Sequence, residues 1–235
     1  MSEINGLYIE DDILYKYTGR KRTLIVPSRI KIIGKCAFEG NKHIEKVVLP
    51  DSVATIKMNA FSGCQNLKSI DLSDNITTIE EHAFSYCSSL TSISIPQSVA
   101  LIGERAFLHC SNLKTLTFQD GDGSLIIKEL AFASCDMLEQ INWTNKVSQI
   151  GAGTFSYCKS LKKVYIPDSV TLINSHSFLL CTSLESAIIP ESVQTIYANA
   201  FKDCYSLKSI HIPPNCIYAD ESFPLECQVL KYYNG

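Results

Sequence analysis

The sequence predicts an α/β-type repeat solenoid, a right-handed coil with a parallel β-sheet on one face and irregular or short helical returns on the other. Two observations carry this. Nine of the ten Phe residues fall in register, at Phe38, Phe61, Phe84, Phe107, Phe132, Phe155, Phe178, Phe201 and Phe223, with gaps of 23, 23, 23, 25, 23, 23, 23 and 22. Three residues after Phe comes Cys, in Cys64, Cys87, Cys110, Cys135, Cys158, Cys181 and Cys204, and three further on comes Leu, from Leu67 to Leu207. The unit is C-x-x-L-x-x-I-x-(I/L)-P-x-S-V-x-x-I-x-x-x-A-F-x-x, almost complete between Cys87 and Cys110.

In chain order, Leu7–Tyr17 reads as a hairpin with Glu10-Asp11-Asp12 at its turn, and residues 1–22 are expected to cap the first repeat. Residues 23–223 form the solenoid, about nine units. Within a unit, Ile93 and Ile95 alternate with Ser92 and Ser94, the period of a short half-buried strand. Pro50, Pro96, Pro167 and Pro190 end their strands, because Pro has no N–H for the ladder. The D-S-V or E-S-V that follows turns the chain, and Ile, Ala and Phe point inward on the return. The two extra residues, within Gln119–Ser124, are expected to bulge outward. At the other end Cys227–Leu230 restarts the unit and stops, so residues 224–235 form a partial repeat and cap ending in KYYNG. One unit orders 23 residues at a conformational cost of roughly 35 kcal/mol. Its apolar side chains recover only about 10–20 kcal/mol. The copies must therefore stack to fold.

The unit resembles the BspA-type leucine-rich repeats, which carry Cys or Asn before the Leu and A-F near the end. Asn41 stands in the Cys position of the first full repeat, and LYIEDDILYKYTGRKRTLIVP resembles the lead-in to such repeats in gut bacteria. The resemblance covers residues 7–230. It implies a leucine-rich-repeat coil and a surface or secreted protein of a bacterium or parasitic protist, adhering to host proteins or to other cells.

Composition narrows the function classes. A net charge of −3 over 235 residues, with no Lys/Arg cluster, argues against nucleic acid or an anionic membrane as partner. No apolar run is long enough to insert in a bilayer. MSEINGLYIEDD lacks a basic start followed by an apolar segment, so the chain as written is expected in the cytoplasm. A removed signal or anchor would place it at the cell surface or outside. A monomer is expected.

Catalytic and metal sites are not expected, and no cofactor is. The thiols lie mostly 23 residues apart rather than in close pairs, so structural thiols are expected, with disulfides or metal as the alternative. The histidines His43, His82, His109, His176 and His211 do not converge by spacing, and no nucleophile has a paired base. Asp120-Gly-Asp122-Gly-Ser124 is similar to a calcium loop, but Leu125 occupies the place of the loop glycine, so a surface loop is expected. Two sequons, Asn75-Ile-Thr77 and Asn142-Trp-Thr144, are read as coincidental. Asp51, Asp74, Asp168 and Glu191 follow the strands at one equivalent place. Local turn bonding accounts for them, or else a negative rim for a basic partner.

The outward strand position carries the useful signal. It reads Val48, Asp71, Ser94, Thr117, Asn142, Tyr165, Ile188 and His211, polar in the middle and aromatic or apolar near the C-terminal end. Groups of the second kind exposed on a sheet mark contact surfaces. The expectation is a protein-binding face over Asp71, Ser94, Thr117, Asn142, Tyr165, Ile188 and His211. The alternative is a solvated spacer with no ligand.

Overall fold

Inward branched side chains every second residue, followed by Pro, build a short strand, and the 23-residue register stacks equivalent strands in parallel. In the computed structural model, which describes residues 2–232, the chain winds into a β-solenoid of about ten turns. Met1 and residues 233–235, the tips of the two expected caps, lie outside the described residues. Each turn contributes a first strand, such as Lys46–Val48, Ser92–Ile95 or Ser186–Ile188, and a second two to four residues long, such as Thr55–Ile56 or Leu101–Ile102. Both kinds pair in parallel with the equivalent strand of the next turn along most of the coil, the first-strand ladder being broken between Ser69–Asp71 and Ser92–Ile95. Ile93 and Ile95 are buried while Ser92 and Ser94 are exposed, as the alternation requires. After the strand, Val53, Val99, Val170 and Val193 donate to the carbonyls of Pro50, Pro96, Pro167 and Pro190 at 3.0–3.1 Å, closing the turn.

The return is not helical. Among the described residues the helical content is one 3-10 turn, Asp220–Ser222. Where irregular or short helical returns were expected, there is a second parallel sheet followed by linked tight turns, and the hydrogen bonds give the reason. Ala60, Ser62 and Cys64 donate within their own turn, to Lys57, Asn59 and Phe61 at 3.1 Å. The alternate residues Asn59, Phe61 and Gly63 donate across to Glu81, Ala83 and Ser85 of the next turn at 3.1, 2.7 and 2.8 Å. A helix keeps all these bonds to itself; here every second N–H ties one turn to its neighbour. Two residues per turn are left-handed, Asn59 (φ 56) and Gly63 (φ 70), with equivalents such as Leu130 (φ 55) and Leu180 (φ 58). An α-helix cannot hold a left-handed residue at every fourth place.

The core is columnar. The nine register phenylalanines form one stack, with neighbouring ring centroids 4.6–5.7 Å apart and planes within 11° of parallel. Each of the seven register thiols donates to the Phe carbonyl of the preceding turn, from Cys64 to Phe38 (3.1 Å) through Cys204 to Phe178 (3.1 Å). Asn41 takes the same slot. Its amide donates to Gly19 O at 3.3 Å, and its Oδ1 accepts from the amides of His43 and Ile44 at 2.9 and 3.0 Å.

At the N-terminus, strands Ser2–Ile4, Leu7–Glu10 and Ile13–Tyr17 form an antiparallel meander. Its turns are Asn5-Gly6 (φ 52 and 80) and Asp11-Asp12 (φ 46 and 62), left-handed pairs that match the twist of a two-residue hairpin. Tyr17 sets its ring 5.4 Å from Phe38 and so continues the Phe stack into the meander. Mid-chain, Gln119–Ser124 is exposed throughout, and the strand after it joins Val147–Ile150 with a register shift between Leu125 and Ile126. Phe118 and Trp143 occupy inward positions beside it, stacked at 5.5 Å. Both ladders are interrupted just beyond: Gln140–Asn142 and Lys163–Tyr165 belong to different sheets, as do Val147–Ile150 and Leu172–Ile173.

Candidate functional site

Because each first strand buries alternate residues in the core, the residue between them faces out, and the ladder stacks these residues into a column. Register places Val48 beside Asp71, Ser94 beside Thr117 beside Asn142, and Tyr165 beside Ile188 beside His211. Asp71, Ser94, Tyr165, Ile188 and His211 are exposed, and Thr117 and Asn142 half-buried. Sequence reading missed three members. Ile25, 73% exposed, begins the column beside Val48, and Leu230, 40% exposed, continues it beside His211. Tyr232 folds back onto the column: its ring stacks on His211 at 5.8 Å, and its hydroxyl donates to Ile189 O at 3.3 Å. The repeat pattern decays at the chain ends, so only strand alternation in TLI and QVLK could have found the first two.

The column differs along its length. In the middle the polar groups satisfy one another. Lys46 pairs with Asp71 at 2.8 Å, Asn142 Nδ2 donates to Thr117 Oγ1 at 3.0 Å, Gln140 Nε2 to Asn142 Oδ1 at 2.6 Å, and Gln119 Nε2 to Ser94 Oγ at 3.3 Å. Towards the C-terminal end Tyr165 and Ile188 remain 55% and 45% exposed, and the Tyr165 hydroxyl has no hydrogen-bond partner among the described residues. A depression of about 600 Å³ lies beside them, bordered also by Asp168, Glu191 and Tyr232.

The carboxylates after the strands do not brace the turn. Asp51, Asp74, Asp168 and Glu191 are exposed, and their side chains make no hydrogen bond or ion pair among the described residues. The neighbouring serine does that work: Ser52, Ser169 and Ser192 Oγ donate to the carbonyls of Ile30, Val147 and Val170 of the preceding turn at 2.7–2.8 Å.

A repeat with a buried Cys or Asn bonding to the turn before it, an A-F pair at its core and an exposed strand column can be compared with known families. The sequence pattern of the BspA type leucine rich repeat region (6 copies) matches residues 8–125 and 125–234. The chain belongs to the BspA-type leucine-rich-repeat family. Among solved structures, the T. pallidum leucine-rich repeat protein TpLRR is similar at 27% identity and a TM-score of 0.62, covering 83% of this chain and 82% of that one. A leucine-rich cell surface protein of Faecalibacterium prausnitzii matches at 20% identity and a TM-score of 0.42, over 100% of this chain and 95% of that one. The pneumococcal vaccine antigen PcpA matches at 17% and 0.34, over 94% and 83%. A comparison with curated proteins finds no match.

The other groups weighed in the sequence of this BspA-type chain take structural places. Burial pushes the Cys64 and Cys110 thiols up to about 12 and the Cys87, Cys135 and Cys181 thiols well above the ordinary value. Such thiols are poor nucleophiles and metal ligands. The histidines stay dispersed. His82 meets Ser85 Oγ at 2.9 Å, His176 meets Asn199 at 3.3 Å, and His109 stacks on Tyr86 at 4.9 Å. Among the described residues no three His, Cys, Asp or Glu side chains are placed to hold a metal ion. In the calcium-like segment Ser124 Oγ bonds Ser148 Oγ at 2.6 Å. Of the sequon residues, Asn75 Nδ2 donates to Asp51 O at 2.8 Å, and Thr144 is buried. No helix among the described residues is long and apolar enough to cross a membrane.

Proposed function

We propose that this chain is a non-enzymatic protein-binding module acting at a cell surface or outside the cell, where it adheres to a protein of a host or a neighbouring cell. The contact centre is Tyr165, Ile188 and His211, and Asp71, Ser94, Thr117 and Asn142 extend the face toward the N-terminus. Residues 1–22 and 224–235 serve as its end caps. One observation carries the reading: Tyr165 and Ile188 hold an aromatic ring and a branched aliphatic side chain in water on adjacent strands of one ladder. Exposed groups of this kind are typical anchors of protein interfaces. Membership of the BspA-type family supports protein binding in general.

A structural spacer is the second reading. What favours it is the polar stretch from Asp71 to Asn142, whose side chains are already partnered by Lys46, Gln119 and Gln140 and, for Thr117 and Asn142, by each other. The two are separated by presenting the protein to a panel of immobilised matrix and serum proteins and to intact bacterial cells. The parent should bind at least one target, and the variant Y165S/I188S/H211S should bind it far less. A folded triple variant that matches the parent on every target would overturn the assignment of the centre.

A further inference from the structure

The depression beside Tyr165 combines three features. Its walls are apolar and aromatic: Tyr165 and Ile188 stand opposite each other in the ladder, and the ring of Tyr232 is held there by its bond to Ile189 O and its stack on His211. Its rim carries Asp168 and Glu191, equivalent residues of successive turns and so about 5 Å apart along the stack. Neither carboxylate has an ion-pair or hydrogen-bond partner among the described residues. The cations of this region lie elsewhere. Lys163 precedes Tyr165 by two residues, at the opposite end of its strand from Asp168, and Lys231 donates its ammonium to Pro214 O at 2.7 Å. Two carboxylates without ion-pair partners, bordering the same depression as two tyrosine rings, are complementary to one kind of group. A guanidinium or ammonium lies over an aromatic face while its charge meets a carboxylate.

We propose that the depression bounded by Tyr165, Ile188 and Tyr232 takes a cationic side chain, an arginine or lysine projecting from the partner protein, with Asp168 and Glu191 supplying the countercharge. This rests on the reading of the column as a contact face and adds the chemistry of what it contacts. The volume of about 600 Å³ is ample for one long side chain and part of its flanking backbone. The same carboxylate position recurs at Asp51 and Asp74, where the column neighbours are Val48 and Asp71 rather than an aromatic ring. Those two residues form the internal control.

The probe is a fluorescent peptide with four arginines spaced by glycine and serine, compared with the same peptide carrying uncharged citrulline in their place. The arginine peptide should bind the parent at least about tenfold more tightly than the citrulline peptide, and more weakly as salt is raised. Asp168→Asn with Glu191→Gln should remove that preference, Tyr165→Ser should weaken it about tenfold, and Asp51→Asn with Asp74→Asn should leave it within about twofold. All these positions are exposed, and a thermal melt for each variant checks that the fold is kept. Equal binding of the two peptides, or an unchanged preference in the Asp168/Glu191 variant, overturns the proposal. The two readings fail separately: protein targets lost by Y165S/I188S/H211S but kept by the Asp168/Glu191 variant would leave the contact face standing and sink the cation site alone, whereas targets kept by the folded triple variant would overturn the contact face.

Discussion

The thiol of Cys110 donates a hydrogen bond of 3.2 Å to the carbonyl oxygen of Phe84, 26 residues earlier, in a site with no solvent exposure. The same bond recurs up the stack, so each turn satisfies a carbonyl of the turn before it. A thiol committed in this way is neither a disulfide partner nor an accessible nucleophile. Alkylation at pH 8 should leave Cys64 through Cys204 unlabelled in the folded protein, while denaturant without reductant should expose all ten cysteines. Mass spectra showing paired cysteines in that series would contradict this.

The raised thiol values also set an alkaline limit. Folded Cys64 and Cys110 titrate near 12 against 9.0 for the free group. Between those values the unfolded chain has lost protons that the folded chain retains, so stability falls as pH rises. The contribution is fully present below about 9 and is lost toward 12, by up to about 1.4 kcal/mol per pH unit for each such thiol. Denaturant midpoints measured at pH 8 and pH 10.5 should drop steeply, and Cys110→Ala should shallow the slope. A flat profile would show that the thiols ionise without unfolding the coil.

The Phe column predicts unequal costs for one substitution. Phe107 lies between Phe84 and Phe132, at 5.0 and 4.9 Å, whereas Phe223 has a single stacking neighbour in the column, Phe201, at 5.7 Å. Phe107→Ala should cost about 3–5 kcal/mol and Phe223→Ala distinctly less. Equal losses in matched urea melts would mean that the end turns are as tightly held as the middle.

The left-handed positions predict gains as well as losses. Gly40 has φ 66, and a Cβ there would meet nothing within 4 Å, so Gly40→Ala tests the backbone alone and should cost about 1–2 kcal/mol. Leu180 carries the same strain at φ 58, and Leu180→Asn should gain up to about 1 kcal/mol. Thermal melts of the two variants should move in opposite directions.

Surface and core should separate at the proposed contact centre. Because Tyr165, Ile188 and His211 face outward, Y165S/I188S/H211S should alter stability by about 1 kcal/mol. Binding to any target captured by the parent should weaken by at least about 2 kcal/mol, roughly thirtyfold. Ser94→Ala with Thr117→Ala, in the mutually satisfied middle, should lose less. Titration by interferometry reads both, and an unfolded triple variant would show that these residues support the core.

Much of this architecture is written in periodicity. The Phe register carries the turns, and the alternation at Ser92–Ile95 fixes which face each strand shows the core. Asn41 in a Cys slot marks that position as one that bonds to backbone. The return path was less legible, because a two-residue strand such as Thr55–Ile56 is too short to show alternation. Residues as unlike as Leu130, Arg105 and Gly153 share a left-handed conformation that the stack imposes. The Asn5-Gly6 turn was readable in INGL, a pair that favours tight hairpins. Tyr232 was not, since its place depends on the chain folding back over His211 after the repeat has ended.

The coincident breaks in both ladders, between the turn holding Asn142 and the turn holding Tyr165, have a mechanical meaning. Neighbouring turns elsewhere in the coil share at least one continuous ladder. Here the connection falls to the backbone bonds of Gly153, Phe155 and Tyr157 to Ser175, Ser177 and Leu179 and of Ser160 to Asp136, and to the Lys159–Asp136 ion pair. It falls also to the side-chain bonds of Ser169 to Val147 O, of Asn174 Nδ2 to Ile150 O at 2.6 Å and of Cys181 to Phe155 O, and to the Phe155–Phe178 stack. Pulled from its two ends, a coil of this kind should part first at that seam. In an optical trap the first step in extension should release one of the two blocks either side of residues 150–163, leaving the other wound and still bearing load.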